Sequence, residues 1–159
     1  MKRQKGFSLI ELLIVVAIIL IIAAIAIPNL LRARISANES SAVGSVRTIN
    51  TSEVSYNTSF PNVGFSATLA NLGDGGACPT PPTSTTACLI DTTLATGIKS
   101  GYSFTYNVVA GGAGPNIGYS VIAKPVVANQ SGVRGFYSDQ TGVIRADSAG
   151  TATSASTPL

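Results

Sequence analysis

The residues whose types and spacing admit chemistry crowd the start of this chain. Glu11 is the lone carboxylate at the head of an apolar run that reaches Ile27, and three of the five residues ahead of Gly6 are cationic (Lys2, Arg3, Lys5). An ionisable group at the edge of a segment that could enter lipid is expensive and calls for a partner. A cut after Gly6 would supply one, because Phe7 would then carry an α-ammonium group one helical turn from Glu11. In a stack of identical helices, that amine and the Glu11 of a neighbouring copy would neutralise each other.

Cys78 and Cys88 form the second candidate pair. An even cysteine count at short separation reads as a disulfide in a chain that leaves the cytoplasm. Closing so small a loop contributes roughly 2–3 kcal/mol, less any strain. The alternative, two free thiols, is the lesser reading for an exported chain. A metal site is weaker still, with no His and no further Cys to complete it.

The rest of the chain offers no reactive centre. Without His, no Ser-His-Asp or Cys-His arrangement can be built. Lys99-Ser100 is only a neighbour pair, and the glycines at 111, 112 and 114 lack the Lys-Ser/Thr of a phosphate-binding loop. Asp74, beside its glycines, and Asp91 name too few oxygens for Ca²⁺ and read as a solvated turn. The Asn-x-Ser/Thr triplets at Asn38, Asn50, Asn57 and Asn129 carry little weight in so Ser/Thr-rich a chain. Tyr102, Phe104 and Tyr106 read as core rather than as an electron path or a sugar platform. The expectation is a non-enzyme with no cofactor and no metal.

The elements that must position Phe7 and Glu11 are set by periodicity. Residues 7–31 are apolar all round apart from Ser8, Glu11 and Asn29, the mark of a helix buried in lipid or protein. Counted from Phe7, the segment reaches the ~20 residues a bilayer requires. Pro28 lacks an N–H and crowds the preceding turn, so a kink or local unwinding is expected near 24–28. Beyond it, Leu31, Ile35, Ala42, Val46, Ile49 and Tyr56 trace a helical stripe, with Arg32, Arg34, Asn38, Glu39, Ser45, Arg47 and Glu53 on the wet or partner-facing side. One helix from about 7 to 56 would be roughly 75 Å long.

Residues 57–100 read as a long connection tied by Cys78 and Cys88, with a short helix within 66–72. From Gly101 the sequence alternates, and strands are expected at 101–108, 118–127, 132–138 and 143–146, an antiparallel meander with one face on the amphipathic helix. Residues 148–159 are Ala, Ser and Thr without a hydrophobic period, read as a mobile tail. The expected organisation is thus a leader at 1–6, an apolar helix half at 7–31, an amphipathic half at 32–56, a globular head at 57–147 and a flexible tail at 148–159. Within the head, the connection occupies 57–100 and the sheet 101–147.

Charge supports export and argues against nucleic acid. The chain has ten Lys and Arg and seven Asp and Glu, a formal +3. Three of the ten lie in the leader, so residues 7–159 hold seven of each sign and no basic stripe. Cationic residues at the extreme N-terminus hold that end in the cytoplasm while the remainder of the chain is exported.

Gly6-Phe7-Ser8-Leu9-Ile10-Glu11 behind a basic leader resembles the processing signal of type IV pilins and the related secretion pseudopilins, differing from the usual form at Ser8, where Thr is commoner. Position by position, the resemblance implies that a prepilin peptidase cuts between Gly6 and Phe7 and N-methylates Phe7, and that Glu11 serves subunit registry and assembly. The run from Gly135 to Arg145 resembles the sheet-closing hairpin of many bacterial pilins. The implied fold is α+β: a long N-terminal helix packed on a roughly four-stranded antiparallel sheet.

The implied function is that of a structural pilus subunit, held by one inner-membrane helix with its N-terminus cytoplasmic and then polymerised into a surface filament. Adhesion, twitching motility and DNA uptake are the implied roles. The implied partners are further copies of the chain, the peptidase, an assembly ATPase acting through an inner-membrane platform, and an outer-membrane secretin in envelopes that have one. The first alternative is a pseudopilin of a type II secretion system. Major pseudopilins usually have Tyr-Pro after the long helix, where this chain has Phe60-Pro61, and acidic residues at a C-terminal metal site, where it has only Asp147. The second is a secreted binding domain with an ordinary signal peptide cut after Ala24-Ile25-Ala26; Glu11 would interrupt the apolar region such a peptide needs.

Overall fold

The computed structural model describes residues 7–159, in two compact units divided between Arg34 and Ile35. The leader, and Gly6 with it, lies outside the described residues. Helix α1 runs Leu9–Ser59 and is unbroken through Pro28, so the local unwinding expected at 24–28 does not occur. In the first unit every large apolar side chain from Phe7 to Leu31 is at least 44% exposed. Residues this apolar are not left in water, so the segment calls for apolar surroundings such as lipid or other chains. It is long and apolar enough to cross a membrane, as a signal sequence would also be.

The second unit holds the rest of α1, two short helices, α2 (Leu69–Leu72) and α3 (Thr92–Ala95), and a sheet. The strands are β1 (Ile98–Lys99), β2 (Tyr102–Val109), β3 (Gly118–Pro125), β4 (Gly135–Asp139), β5 (Arg145–Asp147) and β6 (Thr157–Pro158). They pair in sequence order, each antiparallel to the next. The expected four strands are therefore six. The two additions are two-residue strands at the edges, too short to show a period of two.

Register explains the core. Phe104 faces Ala123, Ala123 faces Phe136 and Phe136 faces Ala146, a row alternating large and small across β2 to β5. On the helix side Ala42, Val46, Ile49 and Tyr56 fill this surface, with Leu72, Ile90 and Leu94 from the connection closing it. The opposite residues of the strands, Ser103, Thr105, Asn107 and Lys124 among them, stay at least partly wet.

Two expectations about this unit need correction. Glu39, Ser45 and Glu53 are not on a wet side: all three are buried, Glu53 completely. They lie among the stripe residues, and each acid meets donors that offset its desolvation. Residues 148–159 are not a loose tail either. Their backbone at Gly150 and Thr151 lies so close over Gly135 that a Cβ there would collide with it. Ala152 is fully buried, Thr157 and Pro158 pair with β5, and the Leu159 N–H donates to the Ile144 carbonyl. Small side chains over a strand glycine pack by backbone proximity and need no hydrophobic period.

Candidate functional site

Glu11 occupies the first turn of α1, and Ser8 immediately precedes the helix. A Ser three residues before a Glu is the spacing of a capping box, and the Ser8 N–H donates to Glu11 Oε2 at 2.9 Å. The carboxylate thereby satisfies one orphan donor of the helix start and lies where the helix dipole favours negative charge. Glu11 and Phe7 are both exposed, at the same end of α1. Glu11 can accept further hydrogen bonds or an ion pair from outside the chain. Pro28 lies within α1 and is exposed.

The cysteines named from sequence are brought together as the Cys78–Cys88 disulfide. It closes a loop whose middle is anchored from below. The Ser84 carbonyl accepts from the Tyr56 hydroxyl at 2.6 Å and from Asn71 Nδ2 at 3.1 Å. Asp74 and Asp91 each have hydrogen-bond partners of their own. Asp74 accepts from the Gly76 N–H and the Thr92 hydroxyl. Asp91 caps α3 by accepting from the Leu94 N–H and pairs with Lys99 Nζ at 2.6 Å. The Lys99 bond and the Leu94 N–H hold the Asp91 carboxyl down at about 2.

Sequence reasoning missed the polar residues that fasten the head to α1. Glu53 accepts from the Ser66 N–H at 3.0 Å, the Ser66 hydroxyl at 2.5 Å and the Tyr106 hydroxyl at 2.6 Å. Among the described residues no cation joins them, and three donors offset the burial of this acid. Burial, and then the bond to Glu53, push the Tyr106 hydroxyl far above its usual range. Glu39 accepts from the Val133 and Arg134 N–H groups at 3.0 Å each and pairs with Arg134 Nε at 2.8 Å. Burial raises its pKa, but these donors outweigh burial and the net shift is downward. Asn50 completes the set, donating to the Ser138 hydroxyl and accepting from Tyr119.

A signal for these positions existed. The stripe 35, 42, 46, 49, 56 has two gaps of seven, and residues 39 and 53 divide each gap into four and three. Continuous spacing of four and three marks one helix face, so both acids belong to the core-facing side by position, whatever their charge.

This geometry offers an exposed apolar helix with one acid at its start, and a head whose polar groups are internally satisfied. It does not gather a nucleophile, a base and an oxyanion donor in one place among the described residues. The family model described as the prokaryotic N-terminal methylation motif matches residues 1–27. The type IV wide pilus major component of Thermus thermophilus is 67% identical over 39 residues, 24% of this chain and 30% of that protein. The type IV major pilin protein of Myxococcus xanthus is 46% identical over 54 residues, 34% of this chain and 24% of that one. A fimbrial protein of Pseudomonas aeruginosa is 79% identical over 29 residues, 18% of this chain and 19% of its own length. Each match spans less than a third of the relative's length. No solved structure matches the chain.

Proposed function

Because the N-terminal segment of this chain matches the N-terminal methylation motif and is similar to the N-terminal segments of type IV pilins, we propose that the whole protein is a pilus structural subunit that polymerises through α1. The observation that carries this reading is the exposed apolar segment from Phe7 to Leu31 with Glu11 at its start. Before assembly, one inner-membrane span with a cytoplasmic N-terminus would shield that surface, since the leader's cations favour this orientation. A prepilin peptidase would cut between Gly6 and Phe7 and methylate Phe7, leaving an α-ammonium group close to Glu11.

Transfer from bilayer to filament exchanges lipid contacts for contacts with sister helices, so the hydrophobic gain is small and packing governs stability. What the transfer adds is the ion pair between the Phe7 amine of one copy and Glu11 of another. An unpaired carboxylate costs far more in an apolar core than a paired one, so the pair selects one axial register. Identical subunits related by a rotation that does not close give an open helix. An assembly ATPase on an inner-membrane platform would supply the work, and a secretin the exit where an outer membrane exists. Surface adhesion, twitching motility and DNA uptake are the behaviours such a fibre would serve.

Filaments sheared from cells that express the chain test this reading. They should consist of this protein, and Glu11→Ala should leave the cut at Gly6 largely intact while filaments fail to form. Normal filaments from that variant would remove the role given to Glu11.

A further inference from the structure

We propose that the head makes a second contact with the bilayer before assembly, through the loop at residues 126–133. This rests on the reading that residues 7–31 span that bilayer. The loop reads Val126-Val127-Ala128-Asn129-Gln130-Ser131-Gly132-Val133. Val126 is 54% exposed, Val127 46% and Val133 40%, and Ala128, Asn129 and Gln130 between them are exposed too. Valine beside Asn and Gln suits the boundary between headgroups and acyl chains, which accommodates an apolar side and a polar side together.

Its place in the fold separates this loop from other exposed apolar residues of the head. Asn38 Nδ2 donates to the Ser131 carbonyl at 2.8 Å. Among the described residues, every other side-chain hydrogen bond from α1 to the rest of the head involves residue 39 or later. From Leu31 to Asn38 the chain advances seven residues, about 10 Å as helix and no more than about 25 Å extended. The headgroup layer adds roughly 5–8 Å to each side of the hydrocarbon, so a loop tied to Asn38 is within its reach. Val109 and Ile117, a second exposed apolar pair, lie at the opposite end of β2 and β3. Tyr102 pairs with Pro125 at the end next to the loop and Val109 with Gly118 at the other, roughly 23 Å away along the strands.

The loop can meet lipid without stranding its backbone. The Val126 N–H donates to the Gly101 carbonyl, and the Val127 N–H to the Ser131 hydroxyl. The Asn129 N–H donates to the Gly132 carbonyl, and the Gln130 and Ser131 N–H groups to the Val127 carbonyl. Amides paired in this way need no water, which removes a main cost of leaving it. Ser131 packs so close over Gly101 that a Cβ there would collide with it. The valines are therefore held in one shape and lose little entropy on meeting a surface. Lys124, just ahead of the loop, is exposed and forms no ion pair among the described residues. In sequence, Arg32 and Arg34 fill the link between Leu31 and Ile35. Cations at that level are drawn to lipid phosphates, so the favoured lipid class is anionic.

A second contact fixes what a single span leaves free. A lone helix tilts and rotates in lipid, and interfacial anchors restrict both motions. With the loop on the bilayer, the head keeps one posture on the membrane, and a subunit leaves for the filament by giving up the loop contact as well as the span. A second copy of the chain is the competing occupant of the same surface, met in the filament rather than in the bilayer.

The test is photolabelling of the full chain in bilayer discs of phosphatidylethanolamine and phosphatidylglycerol, loaded at one chain per disc. The probe is phosphatidylcholine with a diazirine near the ester end of its acyl chain. Trypsin does not cut ahead of Pro125, so one peptide from Ser100 to Arg134 holds both the loop and the Val109–Ile117 end, and fragmentation assigns the label. The expected result is label on 126–133 and on 7–31, none at Val109 or Ile117, and loss of the loop label in V126D/V127D. Both substituted positions are exposed, so this variant keeps its near-UV circular dichroism. An unlabelled loop beside a labelled 7–31 overturns the proposal and leaves the span and the pilus reading standing; protection of the loop in filaments alone then assigns it to a second copy. An unlabelled 7–31 overturns the proposal together with its premise. Equal label at Val109 and Ile117, or loop label that survives V126D/V127D, also overturns it.

Discussion

Replacement of Glu53 by Gln keeps the shape of the side chain and removes its charge, and the structure sets the cost. The carboxylate is fully buried and takes three donors, two on Oε1 and one on Oε2. A carboxamide has one acceptor oxygen and two N–H donors. With its oxygen at the Oε1 position, it keeps the Ser66 and Tyr106 hydroxyls as neutral bonds. Those hydroxyls also have other acceptors in reach, the Thr68 carbonyl at 3.1 Å and the Ser66 carbonyl at 3.0 Å. The Ser66 N–H has no such choice and would face the new NH₂, donor against donor.

One lost charge-assisted bond and one stranded buried donor together cost about 2–3 kcal/mol. For a head of this size that is a fall in Tm of roughly 6–15 °C. Glu53→Ala strands the Ser66 N–H, leaves both hydroxyls to their other acceptors and opens a cavity, for about 3–5 kcal/mol. The assay is thermal unfolding of the detergent-solubilised full chain followed by near-UV circular dichroism. There is no Trp, so the five tyrosines report, Tyr106 in this network among them. A Glu53→Gln protein within about 0.5 kcal/mol of wild type, the range of an ordinary surface change, would refute the argument that this acid fastens the connection to α1.

Other perturbations test separate parts of the fold. Glu39 is held below its ordinary value of 4.5 in the native state. It therefore stabilises the fold above that value and loses the contribution as pH falls through the lowered one. Acid unfolding of wild type should show this slope, and Glu39→Gln should flatten its share of it in a pH-resolved melt. Removing the disulfide as C78A/C88A should cost about 2–3 kcal/mol, with faster proteolysis between residues 74 and 91 by peptide mapping. Deletion of 151–159 should lower the melting temperature and expose Ile144, whereas a loose tail would be silent in the same scan. Gly64→Ala should unfold the connection, because Gly64 has φ +79° and the Asn116 backbone lies against the site of a Cβ; loss of folded protein on expression reads this out.

What the sequence made legible was whatever repeats or stands at a fixed spacing. The leader motif, the apolar span and the alternation of Tyr102 to Val108 each repeat a simple rule, and α1 and β2 follow them closely. The residues that fasten the head were harder to read. Glu39 and Glu53 were assigned by charge, yet their place in the four-three spacing outranks charge once donors are supplied from 66, 106, 133 and 134. Those donors are distant in sequence and carry no local signal. The course of 148–159 was hidden for a related reason. Ala and Thr can be buried without a pattern when a glycine such as Gly135 lets backbone approach backbone. A glycine inside a strand was the available hint.

Polymerisation through α1 requires that the apolar helix be kept in the mature protein. The mass and fragmentation spectrum of the mature N-terminus decide this most directly. The expected result is a chain that begins at a methylated Phe7 and retains everything through Leu31. A chain beginning near Ile27, with the preceding segment removed, would contradict it.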